Sequence, residues 1–270
     1  MKMQVIVLLC YLAFGKVSAQ STDWELMATI YPGVIDHLST DRSNHLFVTD
    51  REGNVRQYNA AGDSLNLYSP AIRSKLTNLE TNWTVNLLLF SADLQQIALL
   101  DRFLRPITTV SIQDHDLGVV RQATLGNSNT IWMVDETRLR LIKWDYRRQE
   151  ILQEQPFSLI LENENHRIVN IAERKNLLLM HSQGKGILLF DNQGNLITRL
   201  PDIPDSDLHF TEEFVYYVDG STAYRRSYTR KEADALELPT TTYQKIAVSS
   251  SRVFLATESS VDIFKKPPSW

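Results

Sequence analysis

Six acidic or imidazole side chains recur at equivalent points of six short β-rich segments: Asp50, Asp93, Asp135, His181, Asp219 and Glu258, accompanied by Arg51, Arg138 and Lys185. Gathered on one face, a ring of carboxylates with one imidazole could hold a cation or a basic peptide segment. The same residue types also close turns, because an Asp or Asn at a strand end accepts hydrogen bonds from backbone N–H groups just beyond it. Patterns for catalysis are missing. His37, His45, His115, His166, His181 and His209 fall in different segments, with no His-x-His and no His-Glu-x-x-His. Asp114-His115-Asp116 is the one local cluster that could attract a divalent ion, and the nearby Gly118 marks it as a solvated turn. There is no Gly-x-Ser-x-Gly elbow, and Gly184-Lys185-Gly186 lacks the following Ser or Thr that a phosphate cradle needs. No catalytic residue and no cofactor is expected.

The segments that carry these residues read as strands. Leu46-Phe47-Val48-Thr49-Asp50, a polar turn and Val55-Arg56-Gln57-Tyr58 form the clearest copy of a repeat, and 177–200 a second. Weaker copies lie over 87–100, 131–144, 214–228 and 253–264. Their anchors Tyr58, Leu100, Trp144, Phe190, Tyr228 and Phe264 are separated by 42, 44, 46, 38 and 36 residues. The runs are short, β-branched or aromatic, and bounded by Asn, Asp and Gly, which excludes a helical solenoid of similar period. A four-stranded sheet with tight turns takes roughly 40–45 residues, and radial packing of such sheets is the β-propeller.

An all-β, six-bladed propeller is therefore predicted, with blades over 34–69, 82–112, 119–155, 166–201, 207–239 and 243–270. The last copy is one strand short, while 24–30 is strand-like and has no blade of its own. It is expected to complete the sixth blade and seal the ring. Ile72, Leu76 and Leu79 lie at helical spacing, so 69–81 is read as a short helix or crossover loop packed between blades. The aromatic anchors should pack between blades as well. The run 224–231 is the densest positive patch and is read as a solvated edge; Trp270, after Pro267 and Pro268, could pack back on the ring or meet a partner.

The copies at 47–64 and 179–197 resemble NHL or TolB-type propeller repeats: an apolar strand, a polar turn, then an apolar run closed by Asp or Asn and Gly. Glu52-Gly53-Asn54-Val55 stands where NHL blades carry Asn-x-Arg-Ile. The resemblance implies a secreted envelope propeller acting as a scaffold or binding module, with binding through the loops between second and third strands. Asp50, Arg51, Asp135, Arg138, His181, Lys185, Asp219 and Glu258 lie in or beside those loops. The alternative is a metal-dependent hydrolase like the lactonase propellers, whose central divalent cation is held by Glu, Asn and Asp. Asn170 and Asp36 are the nearest candidates for it, and no matching glutamate stands out.

Composition narrows the partners. The chain has 270 residues, 43% of them hydrophobic, and a formal net charge of -4, which leaves no basic surplus for nucleic acid. Lys2, the apolar run 5–14 and Val17-Ser18-Ala19 read as a signal peptide over 1–19, cleaved before Gln20. The apolar run is shorter than the roughly 20 residues of a membrane span. Cys10, the one cysteine, lies inside it, so the mature domain 20–270 would carry neither disulfide nor thiolate. A periplasmic or outer-membrane-associated location follows, with another envelope protein, a peptide or a glycan as partner. Asn82-Trp83-Thr84 fits an N-glycosylation acceptor, and Asp63-Ser64-Leu65 resembles a periplasmic O-glycosylation acceptor at Ser64.

Overall fold

The second strand of each repeat is apolar at nearly every position, unlike the half-polar alternation of a sheet with one wet face. The computed structural model, which describes residues 24–82, 86–161, 166–230 and 232–270, shows why. A lone strand β1 (Leu26–Ile30) is followed by blade one, β2 (His37–Thr40), β3 (Leu46–Thr49), β4 (Val55–Tyr58) and β5 (Ser64–Tyr68). Blade two is β6 (Asn78–Glu80), β7 (Asn86–Ser91), β8 (Gln96–Asp101) and β9 (Pro106–Ser111). Blade three is β10 (Val120–Leu125), β11 (Thr130–Asp135), β12 (Arg140–Asp145) and β13 (Glu150–Pro156), after which a single helical turn α1 (Phe157–Ile160) leads onward. Blade four is β14 (Ile168–Arg174), β15 (Leu177–Ser182), β16 (Gly186–Phe190) and β17 (Leu196–Leu200). Blade five is β18 (His209–Phe210), β19 (Phe214–Asp219), β20 (Thr222–Ser227) and β21 (Ala233–Glu237). Blade six is β22 (Lys245–Val248), β23 (Arg252–Ala256) and β24 (Val261–Lys265), joined by β1.

Each blade is a four-stranded antiparallel sheet whose first strand lies at the centre of the ring, beside the first strands of its neighbours. Radial packing gives both faces of each middle strand a neighbouring blade, so side chains on either side of the pleat are buried. In β3, Leu46 and Val48 pack toward blade six and Phe47 toward blade two. In β11, Ile131 and Met133 pack toward blade two, Trp132 and Val134 toward blade four. The core is thus six clusters, one at each interface between blades. Tyr58, Leu100, Trp144, Phe190, Tyr228 and Phe264 all sit in these clusters, as the repeat spacing predicts.

The ring is sealed between its ends. β1 pairs antiparallel with β24, placing Thr29 opposite Asp262 and Ile30 opposite Val261. Lys265 N–H donates to the Glu25 carbonyl at 2.9 Å. Trp24 donates its indole N–H to the Glu237 carbonyl at 2.6 Å and stacks edge-on to Phe264 and Trp270 at 5.3 and 5.8 Å. The stretch 24–30 is therefore the missing outer strand of blade six.

Two expectations are corrected. Blade two begins at Asn78 rather than 82, and 69–77 takes the crossover-loop alternative, without a helix. Leu76 and Leu79 are buried between blades one and two, but Ile72 is 62% exposed, so the three do not share a face. The basic run is not a solvated edge either. It supplies β20, the third strand of blade five, and β21 forms the edge. Alternation sends Arg225 to one face, against Phe214, and Arg226 to the other, where it donates to the Pro201 carbonyl at 2.5 Å. No helix among the described residues is long and apolar enough to cross a membrane.

Candidate functional site

A plug of buried polar side chains closes the centre of the ring. Glu80 ends the inner strand of blade two and Arg174 that of blade four, and they meet at 3.5 Å. Glu80 also accepts from Thr124 Oγ1 at 2.6 Å and Leu125 N–H at 2.9 Å. Arg174 donates through Nε to the Phe210 carbonyl at 3.1 Å and through Nη1 to the Glu173 carbonyl at 2.7 Å. Glu173 accepts from the Trp132 indole at 2.5 Å and Asn127 Nδ2 at 3.0 Å. Burial raises the Glu80 carboxyl above its usual range, opposed by Arg174, Thr124 and Leu125. Next to Phe210, His209 Nε2 donates to the Val248 carbonyl at 3.0 Å, as does Thr40 Oγ1. Burial pushes the His209 imidazole down to about 4, so it is neutral near pH 7. The Glu80–Arg174 pair ties non-adjacent blades two and four together, and the other bonds between blades join neighbouring ones.

Above the plug opens a mouth of about 700 Å³. All six blades reach it through the turns between first and second strands, including Arg42, Asn82, Asn127, Lys175, Glu212 and Ser250. Arg42 and Lys175 pair with Glu212 at 2.5 and 3.0 Å, and Lys175 also with Glu213 at 3.1 Å. The second wall is aromatic and basic. Tyr216 and Trp270 have ring centroids 5.3 Å apart, and the Arg225 guanidinium lies 4.7 Å over Phe214 while pairing with Asp234. Beside them is Lys266, half-buried, whose ammonium has neither a carboxylate nor a hydrogen-bond acceptor among the described residues. Burial, with Arg225 nearby, holds its pKa below the ordinary lysine value.

The recurrent residues lie on the opposite face, and Asp50 and Asp135 are committed to turns. Asp50 accepts from the N–H groups of Glu52 and Asn54 at 3.0 and 3.1 Å and from Asn54 Nδ2 at 2.8 Å. Asp135 is fully buried; it accepts from Thr137 N–H at 2.9 Å and pairs with Arg140 at 2.8 Å. A Cβ at Gly118 would fall 2.3 Å from both Asp135 oxygens, so only glycine admits this carboxylate. Arg138 pairs with Asp116. Arg51, Asp93, Lys185, Asp219 and Glu258 are exposed or border exposed turns. Of the recurrent set, His181 alone lines one of the two principal cavities.

Other sequence candidates separate in space. Asp114 closes a 3-10 turn, His115 lies against Trp144 at 5.0 Å, and Asp116 turns to Arg138. Asp36 pairs with Lys75 at 3.2 Å, whereas Asn170 lines the His181 cavity. Glu80 and Glu173 are engaged in the plug. Among the described residues no three His, Cys, Asp or Glu groups converge on a cation position, and Asp36 does not line the cavity that holds Asn170. Asn82 lines the mouth and donates to the Phe210 carbonyl at 3.2 Å, while Trp83 and Thr84 lie outside the described residues. Ser64 is exposed at the start of β5.

Sequence reasoning missed the mouth and its plug. Two signals pointed to it, the basic run containing Arg225 and the tail carrying Lys266 and Trp270. Glu80, Glu173 and Arg174 could have been found as charges at the ends of apolar inner strands.

No family model and no curated protein matches the chain. Solved structures do. The Pan2 WD40 domain of Neurospora crassa superposes with a TM-score of 0.65 at 10% identity, covering 92% of this chain and 96% of that one. The Cps50 (Swd1) β-propeller domain of Myceliophteria thermophila gives a TM-score of 0.62 at 14% identity, covering 90% and 99%. Neither is an NHL or TolB-type propeller. At these identities the likeness shows the fold, and the chain is an all-β six-bladed propeller closed by its N- and C-terminal strands.

Proposed function

We propose that this chain is a non-enzymatic binding and scaffold propeller that seats an extended, anionic segment of a partner protein in the mouth above the plug. The observation that carries this is Lys266, a half-buried ammonium with no counter-charge among the described residues, set beside Trp270 and Tyr216. Partial burial disfavours the charged form of Lys266, and a guest carboxylate would offset that effect. The adjoining aromatic rings supply an anchoring surface of the kind that dominates protein interfaces. Turns on a rigid ring suit recognition, and here every blade contributes.

Export belongs to the same proposal. It rests on the signal-like sequence of 1–19, which lies outside the described residues, and points to a partner in the bacterial envelope. The NHL and TolB-type resemblance, carried by two repeat copies, stands on the same footing.

Selection of random peptides on the wild-type protein, compared with Lys266→Glu and Trp270→Ala proteins, tests the site. Enriched peptides should be rich in Asp and Glu, and each substitution should weaken them by about tenfold or more, or ~1.4 kcal/mol. Peptides that bind all three proteins equally would remove the mouth from the proposal.

A further inference from the structure

On the face away from the mouth, the start of β14, the end of β15 and the crossover 201–208 enclose a cavity of about 460 Å³. Asn170, His181, Gln183, Asp205 and Asp207 line it. His181 is 1% exposed, yet its Nε2 has no hydrogen-bond partner and lies 3.5 Å from Asp205 Oδ1. Ser206 Oγ, also on the wall, is buried without a partner. Polar atoms left unpaired in a buried wall mark places where a guest can complete the bonding.

The character of the wall selects the guest. No Lys or Arg lines the cavity, and its two carboxylates are Asp205 and Asp207. Lys245 neutralises Asp207, whereas Asp205 has no Lys or Arg partner among the described residues and accepts only the Gly184 N–H at 2.9 Å. Burial keeps the imidazole neutral against the pull of Asp205, leaving one ring nitrogen as an acceptor. The side-chain amides of Asn170 and Gln183 add acceptor oxygens beside their own N–H donors. A wall of acceptors around one uncompensated carboxylate suits a planar cation with several N–H donors.

We propose that this cavity seats the guanidinium of an arginine side chain from a bound protein segment, donating to Asp205 and to His181. The site stands independently of the mouth and would give the ring a second, oppositely charged docking point.

The test follows the His181 ring resonances while the peptide acetyl-Gly-Arg-Gly-amide is added to the whole protein, with the citrulline peptide as an uncharged isostere. Saturable movement of the His181 signals by the arginine peptide alone, weakened by about tenfold or more in Asp205→Asn, is expected. Asp205 is at the exposed rim, so that variant should fold, and an unchanged melting temperature checks it. Equal responses to the citrulline peptide, no response across the millimolar range, or an undiminished response in Asp205→Asn would overturn the proposal. So would saturation by zinc chloride without any response to the arginine peptide, which would assign the pair to a metal.

Discussion

The two faces of the ring are built from the same kinds of connection, yet they use their polar residues differently. On one face the turns between second and third strands carry the recurrent acids, and Asp50 and Asp135 spend their oxygens on backbone N–H groups and neighbouring arginines. On the other, equivalent turns of all six blades rim the mouth, and single blades add Lys266, Trp270, Arg225 and, beneath them, the Glu80–Arg174 pair. A repeat conserves within itself what every blade needs, which is packing and turn closure. The proposed binding chemistry sits where one blade departs from that pattern.

The comparison can be broken most forcefully at the plug. Removing one partner of a buried ion pair strands the other, so Glu80→Ala should cost about 3–5 kcal/mol in urea unfolding. A paired Glu80→Met, Arg174→Met protein should recover much of that loss, because both charges then leave together. A cost below about 1 kcal/mol for Glu80→Ala would show that the plug is not what ties the blades. The seal comes next. Trp24→Ala removes a buried indole from Phe264 and Trp270, and a loss of about 3 kcal/mol is expected by the same assay.

Titration sharpens the contrast. The unfolded His209 imidazole takes up its proton near pH 6.5 and the folded one near 4, so between these values the unfolded chain binds more protons. Stability present in full above about pH 6.5 should therefore fall by roughly 3 kcal/mol as pH drops toward 4. His209→Gln should flatten that part of the stability profile, whatever constant offset it adds; an unchanged slope would assign the pH dependence elsewhere.

The smallest effects separate turn closure from binding. Asp50→Ala should cost about 1 kcal/mol because it releases two backbone N–H groups. Asp219→Ala, on the same face but exposed, should stay within about 0.5 kcal/mol of wild type. Lys266→Met should leave the protein slightly more stable, by ~0.5–1 kcal/mol in thermal unfolding, while weakening mouth ligands. A residue that lowers stability and is needed for binding is the mark of a site.

The architecture was legible because its causes are local and repeated. Apolar runs such as 46–48 and 131–134 answer to burial on both faces, and the spacing of Tyr58, Trp144 and Phe190 answers to blade thickness. The surplus strand at 24–30 and the deficit after Val261 predicted each other. The start of blade two was not legible, since Leu76 and Leu79 imitate helical spacing across a junction between loop and strand. The mouth was hidden for a different reason. Glu80, Arg174 and His209 are brought together by closure of the ring, from positions whose separation in the chain carries no pattern. Lys266 is defined by what does not surround it, which no sequence states.

A photo-activated cross-linker placed at Ser250, on the rim of the mouth, and carried by the full chain in its native host tests the central claim most directly. The account predicts a discrete adduct with a protein whose cross-linked segment is acidic, and loss of that adduct when Lys266→Glu is introduced into the same chain. An adduct of equal yield with and without that substitution, or a cross-linked segment lacking acidic residues, would contradict it.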